Sequence, residues 1–364
     1  MMKSQAAVMR AADGPYAIEE IELPDPGPGE LLVRVVGAGM CHTDVVPRAG
    51  SDLVGPPIVT GHEGSGVVEA VGPDVTRVQV GDHVCLSFDS CGKCQACADG
   101  VPSYCVQFMV RNLSGLTAEG QPVGKDSNGA DVKARWFGQS SFATYCLATE
   151  RNAVVVDRAL PLEKLGPLGC GVQTGAASVA VAMGVKAGRS LVVFGAGAVG
   201  LSALMAAKVL AAKTIIAVDL HSHRLDIARE LGATHVIAGD AEDLVAQIHE
   251  ITGGGADYVF DTTGLPPVEK NAMASLRLGG TAGFVGVQQG DFPMGSESTG
   301  KSIMNILEGA TDPQVFIPQM IEWWQAGKFP FDSLIETYPM SDINQAEQDS
   351  LSGKTIKPVL IPGS

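Results

Sequence analysis

From about Gly171 onward, short runs of consecutive apolar residues alternate with longer stretches of helical length and composition. The segments LVVFG and TIIAVD are short and apolar, as buried strands are, whereas AVGLSALMAAKVLAA and RLDIARELG are typical of helices. YVFDTTG and TAGFVGV add two further buried strands. This alternation predicts a parallel sheet with helices on both of its faces.

The first third of the chain has a different pattern, with short β-branched segments bounded by glycines. Three of these segments are predicted to be strands: LLVRVVGAGMC, GSGVVEAVG and GDHVCLSF. The pattern also predicts a strand, a turn and a second strand over 75–84 (VTRVQVGDHV). Near the C-terminus, VFIPQMIEWWQAG predicts a helix and IKPVLI a short strand. We therefore expect a first domain built from residues 1–171 and 309–364, with a second domain over 172–308.

The length and charge of the chain narrow the functional classes. Its 364 residues favour two domains, and its formal net charge of −15, without any block of Lys and Arg, argues against nucleic-acid binding. The uncharged segment 191–207 is short for a membrane span and is interrupted by glycines, so we expect a buried strand, a turn and a helix there. The N-terminal segment lacks the pattern of a signal peptide, which favours a cytoplasmic location and reduced cysteines.

A glycine-rich turn lies between the first two elements of the second domain. GAGAVG fits the pattern G-x-G-x-x-G, follows a predicted strand, opens a predicted helix and precedes Asp219 by 19 residues, counted from Gly200. The alternative is a glycine-rich turn that binds no ligand. The whole pattern predicts a dinucleotide site, and the carboxylate of Asp219 favours NAD over NADP despite the nearby Arg224. The residues expected to contact the cofactor here are Gly195, Gly197, Val199, Gly200, Asp219, Arg224 and Val287.

Four of the eight cysteines lie within fifteen residues, in the segment CGKCQACADGVPSYC. Tetrahedral zinc suits the spacing of Cys91, Cys94, Cys97 and Cys105, whereas disulfides between such close residues would close strained rings. Four thiolates complete the coordination shell of the metal. The cluster is therefore expected to hold a structural zinc, with a redox or disulfide role as the alternative.

Three further metal-ligand residues are scattered along the chain: Cys41, His62 and Cys170. Singly, each has an ordinary explanation as a buried thiol or a core histidine. Together they supply a Cys₂His set, which leaves the fourth position of a zinc ion open for an exchangeable ligand. An alcohol bound there would lose its proton more readily and become a hydride donor. Cys85 and Cys146, in strand-like segments, are expected to be ordinary buried cysteines.

Five motifs follow one another along the chain: CHTD, GHEGSGVVEAVG, the four-cysteine loop, GCGVQTG and GAGAVG. This is the order found in the zinc-dependent medium-chain alcohol dehydrogenases, which the chain resembles over nearly its whole length. The tail segments GKFPFDSLIETYP and SGKTIKPVL resemble the bacterial aryl-alcohol dehydrogenases. The resemblance implies an α/β protein with a GroES-like β-rich catalytic domain and a Rossmann domain. It also implies NAD, two zinc ions per subunit and a catalytic zinc in the cleft between the domains. The family further implies a homo-oligomer, dimer or tetramer, formed by edge pairing of Rossmann sheets, for which the apolar segment TAGFVGV is the expected edge strand.

The resemblance also implies roles for the residues around the catalytic metal. Glu63 would approach the metal during ligand exchange, and Asp44 would hydrogen-bond the free nitrogen of His62. Thr43 would accept the proton of the alcohol and pass it to the nicotinamide ribose.

The same resemblance bears on three further positions. His42 and Lys357 would contact the cofactor pyrophosphate, although a surface lysine is an equal alternative for Lys357. Val46 replaces a histidine that relays the proton to solvent in many relatives, so His42 or a chain of water molecules would have to take over that step.

These expectations combine into NAD-dependent oxidation of a primary alcohol, of benzyl type, to the aldehyde. One alternative is a glutathione-dependent formaldehyde dehydrogenase, which requires a basic pocket for which Arg111 and Lys125 are the candidates. Another is a zinc- and NAD-binding sensor without turnover. The expected partner is a small-molecule alcohol or aldehyde, with neither nucleic acid nor a membrane involved.

Overall fold

The computed structural model describes residues 1–49, 54–292 and 295–363. The β-strands formed within these residues are β1 Met2–Met9, β2 Tyr16–Leu23, β3 Glu30–Gly39, β4 Ile58–Val59, β5 Glu63–Val71, β6 His83–Leu86, β7 Gly124–Asp126, β8 Asp131–Val132, β9 Tyr145–Thr149, β10 Ala153–Val156, β11 Ser190–Phe194, β12 Thr214–Asp219, β13 His235–Ala238, β14 Ala256–Asp261, β15 Leu276–Phe284, β16 Ser302–Asn305, β17 Ile335–Pro339 and β18 Lys357–Ile361.

The α-helices of the described residues are α1 Gln95–Ala98, α2 Phe108–Asn112, α3 Gly171–Ala177, α4 Ala198–Val209, α5 Ser222–Leu231, α6 Leu244–Thr252, α7 Pro266–Ser275, α8 Pro313–Gln325 and α9 Ile343–Leu351. Short 3₁₀ segments join many of these elements, among them His42–Ala49 and Gly166–Gly169. None of the described helices is long and apolar enough to cross a membrane.

The chain divides into two compact units. The first comprises Met1–Cys170, Asp312–Pro318 and Asp332–Ser364, and the second comprises Gly171–Thr311 and Gln319–Phe331. This division runs close to the boundaries expected from the sequence. It differs in that the second half of α8 and the segment after it join the second unit, where Trp324 packs edge-on against Phe331 with ring centroids 5.2 Å apart.

The first unit contains two sheets that surround a common apolar core. One sheet has the strand order β4-β1-β2-β7-β8, and the other has the order β10-β6-β5-β3-β18-β17 with β9 also paired to β3. Most pairs are antiparallel, as in β3 with β5, and β17 with β18 is parallel. Strand β18, from the C-terminus, pairs with β3. The β-branched segments of the first third form the strands of these sheets, and the glycines between them lie in the turns.

One strand predicted in this region is wrong. Val75–Val80 does not pair in a sheet, and only the second half of the predicted hairpin, β6, is a strand. The backbone N–H groups of Thr76 and Arg77 donate instead to the carboxylate of Glu150. Because a side chain satisfies these donors, the alternating pattern did not require a strand partner here.

The second unit contains a parallel six-stranded sheet of order β13-β12-β11-β14-β15-β16. This is the doubly wound order, with the change of direction between β11 and β14, and it confirms the predicted α/β architecture. Among the described strands, β16 lies at the edge of this sheet and β15 lies inside it. The expectation that TAGFVGV, which overlaps β15, supplies an edge for pairing with another subunit is therefore wrong.

Candidate metal centres and cofactor site

The glycine-rich turn joins β11 to α4, and each of its glycines has a distinct steric reason. Gly195 has φ +91°, and a Cβ atom there would clash with Thr262. A Cβ atom at Gly200 would clash with the carbonyl oxygen of Gly195, whereas one at Gly197 would meet no atom within 4 Å. The turn therefore packs tightly on the protein side and leaves open space at its centre, as phosphate binding at a helix N-terminus requires.

Asp219 lies at the carboxyl end of the neighbouring strand and is almost completely buried, with 8% of its surface exposed. Its two oxygens accept hydrogen bonds from the backbone N–H groups of Ala196 (2.7 Å) and His221 (2.8 Å). Arg224 Nη1 lies 3.9 Å from Asp219 Oδ2. The carboxylate is thus fixed beside the glycine-rich turn, where it can accept hydroxyl groups of a ribose.

A cavity of about 340 Å³ opens at this place and is lined by Gly197, Asp219 and Arg224 together with the apolar residues Leu220, Leu244 and Val268. Its size and its mixture of one carboxylate with apolar walls fit the adenosine half of a dinucleotide. The residues present therefore suit the cofactor predicted from the sequence.

Three other residues expected to contact the cofactor lie elsewhere. Val199 is half-buried in the first turn of α4, and Val287 is 61% exposed beyond the end of β15. Neither belongs to the described residues that line the cavity. His42 is exposed at the start of its 3₁₀ segment in the first unit.

Cys41, His62 and Cys170 come together although up to 129 positions separate them along the chain. Their ligand atoms all lie within 4.8 Å of one another, and His62 Nε2 lies 3.2 Å from Cys170 Sγ. Cys41 follows β3 and His62 precedes β5, so the pairing of these strands sets the first two ligands side by side. Gly166 lets the segment before Cys170 approach, because a Cβ atom there would clash with the carbonyl oxygen of Glu63.

Asp44 holds two of these ligands in position. Its Oδ1 accepts hydrogen bonds from His62 Nδ1 (2.7 Å) and from the backbone N–H of Gly61 (2.8 Å), and its Oδ2 accepts one from the backbone N–H of Cys41 (3.0 Å). Asp44 and His62 are both completely buried. With its Nδ1 hydrogen-bonded, His62 presents Nε2 to the two thiols, which is the arrangement that a metal-binding histidine needs.

The close contact of these residues shifts the pKa values of Cys41 and His62 in opposite directions. A hydrogen bond from Cys170 lowers the pKa of Cys41 well below its usual range, although burial acts in the opposite direction. Burial lowers the pKa of His62, but the charge and the hydrogen bond of Asp44 raise it more, so the pKa of the imidazole lies well above its ordinary value. A metal binds thiolates and a neutral imidazole nitrogen, so metal binding here would displace a proton from His62.

The carboxylate of Glu63 is held by Lys357. Lys357 Nζ donates to both carboxylate oxygens of Glu63 (2.9 Å each) and to the carbonyl oxygen of Met40 (3.0 Å). Burial raises the pKa of Glu63, and the charge of Lys357 offsets part of that rise. Burial lowers the pKa of Lys357, but Glu63 raises it more, so the ammonium group stays charged.

Lys357 is only 2% exposed, so the interpretation as a surface lysine is wrong. An ammonium group has three N–H donors, and here all three have partners inside the first unit. A contact between Lys357 and a cofactor pyrophosphate, as expected from the sequence, would require this arrangement to open.

Thr43 and Val46 lie in the 3₁₀ segment that follows Cys41, and both are half-buried. The thiol of Cys41 and Thr43 Oγ1 are 3.8 Å apart. A hydroxyl group so close to a ligand can exchange hydrogen bonds with a small polar molecule bound at the same centre.

The four clustered cysteines form a second centre, with all sulfur atoms within 4.8 Å of one another. Backbone N–H groups point at these sulfurs: Cys94 donates to Cys91 (3.3 Å), and Cys91 and Gln107 donate to Cys105 (3.3 and 3.4 Å). Hydrogen bonds from the backbone lower the pKa of Cys94 to about 6. All eight cysteines are described and carry free thiols, and Cys85 and Cys146 are buried in strands as expected. The donor set and its N–H contacts fit a closed, structural zinc site.

The basic residues that a glutathione adduct would need have other partners. Arg111 is held by Asp89 (2.8 Å) and by Gln107 (2.9 Å). Lys125 pairs with Asp131 in an exposed hairpin. In the described residues these two candidates are thus already engaged.

Sequence reasoning missed the turn at 136–140, which contacts His62 through two of its side chains. Phe137 stacks on the imidazole with ring centroids 4.3 Å apart, and Gln139 Nε2 donates to the carbonyl oxygen of His62 (2.9 Å). The signal in the sequence was weak, because WFGQSS contains no recognisable metal-binding or catalytic pattern.

Comparison with known proteins gives concordant results. Residues 27–158 match the alcohol dehydrogenase GroES-like domain, and residues 198–324 match the zinc-binding dehydrogenase domain. The chain is 46% identical to geraniol dehydrogenase of Castellaniella defragrans, over 99% of this chain and 98% of that protein.

Solved structures agree with this match. The crystal structure of benzyl alcohol dehydrogenase from Acinetobacter calcoaceticus superimposes with a TM-score of 0.96 at 44% identity and covers both chains completely. An alcohol dehydrogenase zinc-binding domain protein from Burkholderia ambifaria gives a TM-score of 0.96 at 48% identity over 99% of each chain. The chain therefore belongs to the zinc-dependent medium-chain alcohol dehydrogenase family.

Proposed function

We propose that this protein oxidises a primary alcohol to the aldehyde with NAD as hydride acceptor, and that the carbinol carbon of its substrate is attached to an aromatic ring or a carbon–carbon double bond. The observation that carries the reaction is the convergence of the half-buried Cys41 with the buried His62 and Cys170. The substrate class is supported by the names of two relatives, because benzyl alcohol is benzylic and geraniol is allylic. A π system next to the carbinol carbon makes loss of hydride easier by conjugation with the carbonyl that forms.

Cys41, His62 and Cys170 would hold the catalytic zinc, which supplies a Lewis acid that makes the alcohol hydroxyl more acidic. Asp44 keeps His62 in the tautomer that presents Nε2. Thr43 would accept the proton of the alcohol. Glu63, held by Lys357, is the carboxylate nearest in sequence to the ligand set and would take part in ligand exchange.

NAD rather than NADP is favoured by the carboxylate of Asp219. It is buried beside the glycine-rich turn and accepts two backbone N–H bonds, which keep it in place. A 2′-phosphate brought to this carboxylate would place two negative charges in a poorly solvated site, and Arg224 alone does not offset that repulsion.

The second zinc would be structural. The four thiolates of Cys91, Cys94, Cys97 and Cys105 leave no coordination position for a substrate. We therefore infer two zinc ions per chain with separate tasks. We also expect a homo-oligomer, dimer or tetramer, as in the family.

The glutathione-dependent reaction receives less support. It would need a free basic pocket for the carboxylates of the adduct, and Arg111 is neutralised by Asp89. The two reactions differ in substrate and can be separated directly.

The test is a screen of NAD reduction with benzyl alcohol, geraniol, an unconjugated primary alcohol of similar size, and formaldehyde with glutathione. We expect benzyl alcohol or geraniol to give the highest kcat/KM, with NADP a poor substitute for NAD. A preference for formaldehyde with glutathione would overturn the proposed substrate class. Cys41→Ala should abolish oxidation and retain NAD binding, and unchanged oxidation in that variant would overturn the proposed site.

A further inference from the structure

We propose that Phe137 and Gln139 are positioning residues for the metal ligand His62. Both lie on a turn with a strained backbone, and their side chains contact His62. The inference rests on the proposed function only in taking Cys41, His62 and Cys170 as the metal site. The turn lies wholly within the first unit and contains no metal ligand itself.

The backbone of this turn is in an uncommon conformation. Phe137 has φ +52° and ψ +34°, and Gly138 and Ser140 also have positive φ values, +68° and +56°. A left-handed conformation is unfavourable for a bulky residue such as phenylalanine and persists only where the surroundings impose it. Such residues concentrate at functional sites, and here the strained residue touches a metal ligand.

The side chains of the turn contact His62 in two ways. The ring of Phe137 stacks on the imidazole at a centroid distance of 4.3 Å and an interplanar angle of 27°. Gln139 Nε2 donates to the carbonyl oxygen of His62 (2.9 Å), and Gln139 Oε1 accepts from the backbone N–H of Gly64 (3.0 Å). Phe137 thus restricts rotation of the imidazole, and Gln139 fixes the backbone that follows His62.

The backbone around His62 is tied to the same turn. Ser141 N–H donates to the carbonyl oxygen of Gly61 (2.8 Å), and Phe142 N–H donates to that of Thr60 (3.1 Å). Asp44 fixes the Nδ1 edge of the imidazole through one hydrogen bond, and the ring of Phe137 covers one face of it.

The buried residues Asn152 and Thr149 hold this turn in place. Asn152 Nδ2 donates to the carbonyl oxygens of Phe137 (3.2 Å) and Gly138 (3.3 Å), and its Oδ1 accepts from Thr149 Oγ1 (3.2 Å). Thr149 Oγ1 also lies 2.9 Å from Asp89, two residues before the first clustered cysteine. The left-handed turn is therefore held by buried polar groups and transmits its position to His62.

The experiment compares three variants of the full-length protein with the wild type. Phe137→Leu keeps an apolar side chain without the stacking face, and Gln139→Met keeps the shape without the three hydrogen bonds to the backbone of His62, Gly64 and Ser87. Phe88→Leu is the matched control, because Phe88 is as buried as Phe137 and packs on Phe108, with no recorded ring contact to His62 among the described residues. Cobalt(II) replaces zinc at the Cys41/His62/Cys170 site, and its visible spectrum reports ligand geometry independently of turnover.

We expect Phe137→Leu and Gln139→Met each to shift the cobalt bands and to lower the affinity of this site for metal by roughly tenfold, the usual scale for residues that orient ligands. The KM for NAD and the metal content of the four-cysteine site should stay unchanged, and Phe88→Leu should match the wild type in spectrum and affinity. Cobalt spectra and affinities of Phe137→Leu and Gln139→Met that equal those of Phe88→Leu would overturn the proposal.

The two proposals fail separately. If the wild type binds cobalt(II) at this site and oxidises none of the alcohols, the proposed function fails, and the spectra still decide the role of the turn. If Phe137→Leu does not fold, as judged from its thermal unfolding, Gln139→Met carries the test alone.

Discussion

The ammonium nitrogen of Lys357 lies 2.9 Å from each carboxylate oxygen of Glu63, and both side chains are buried. These residues are 294 positions apart, and Glu63 directly follows the metal ligand His62. The ion pair therefore ties the C-terminal strand β18 to the metal centre of the first unit. Each charge depends on the other, because neither has access to water.

Removing Lys357 should be strongly destabilising. Lys357→Met leaves the Glu63 carboxylate buried without its partner, and we expect a loss of roughly 3–5 kcal/mol in the free energy of unfolding, measured by urea denaturation. Adding Glu63→Gln should restore part of that loss. The exposed pair of Lys125 and Asp131 is the control, and Lys125→Met should cost less than about 1 kcal/mol. Equal effects of the two lysine substitutions would contradict the importance assigned to the buried pair.

Asp44 should govern metal affinity without binding the metal. In Asp44→Asn the side chain loses its charge and one of its acceptors for His62, Gly61 and Cys41, and we expect metal affinity at this site to fall by about 10- to 100-fold. Competition with a chelator measures the change. Asp126→Asn is the matched control, since Asp126 is also a buried carboxylate that accepts backbone N–H groups, at a hairpin distant in sequence from the metal ligands. The prediction fails if both variants keep wild-type affinity.

Asp219 should set the choice of cofactor. Asp219→Ala removes the acceptor for the ribose hydroxyls and the repulsion of a 2′-phosphate, so kcat/KM with NAD should fall. The ratio of kcat/KM for NADP to that for NAD should rise by at least about tenfold, a difference of about 1.4 kcal/mol. Asp226→Ala changes an exposed carboxylate paired with Arg229 and should leave the ratio unchanged. An unaltered ratio in Asp219→Ala would show that selectivity arises elsewhere.

The four-cysteine cluster should stabilise the protein and take no part in the reaction. Cys97→Ser should lower the zinc content by one ion per chain and reduce the midpoint of thermal unfolding, because a structural zinc contributes to folding. The variant should still oxidise alcohol at temperatures where it remains folded. Cys146→Ala, a buried cysteine outside the cluster, should keep the full zinc content. Complete loss of oxidation in folded Cys97→Ser would contradict a purely structural role.

Two carboxylates of β14 should affect the pH dependence of stability in opposite directions. Burial raises the pKa of Asp261 to about 6. A raised pKa means that the folded state binds more protons than the unfolded state between about pH 4 and 6, so the contribution of Asp261 to stability is lost as pH rises through that range. The stability of Asp261→Asn relative to the wild type should therefore improve by up to about 3 kcal/mol from pH 4 to pH 7.

Asp257, at the start of the same strand, is the comparison. Burial raises the pKa of Asp257, but hydrogen bonds from Ser190 and Arg277 lower it more, so its pKa lies below the usual range. Its contribution is present above the unfolded pKa and is lost as pH falls, so Asp257→Asn should be most destabilised near neutral pH. Urea unfolding at several pH values measures both variants, and slopes of the same sign would contradict the assignment.

Much of the second unit could be predicted from local pattern. The strands β11, β12, β14 and β15 and the helices α4 and α5 appear where consecutive apolar residues and helical spacing placed them. The reason is physical: a central parallel strand is buried on both faces, so its sequence is apolar throughout and stands out from its surroundings. The need for glycine at 195 and 200 could likewise be predicted from the motif. Gly195 has a positive φ, and a Cβ atom at Gly200 would clash with the carbonyl oxygen of Gly195.

The first unit was harder to predict, because an alternating pattern does not specify which strand a segment pairs with, or whether it pairs at all. Val75–Val80 has the alternation of a strand and is not one, because Glu150, far along the chain, satisfies its N–H groups. Phe137 and Gln139 gave no signal either, since their importance lies in their distance to His62 and in a backbone conformation that no motif records.

The sequence by itself determined the chemistry available to this protein: two thiols and an imidazole for one metal, four thiols for another, and a glycine-rich turn with an acidic residue for a nucleotide. Only the tertiary structure decided which groups meet. It buried Lys357 against Glu63, set Asp44 on His62, and made β16 rather than β15 the edge among the described strands. Residue types are local properties of a chain, whereas distances between remote residues depend on strand pairing and packing across the whole fold.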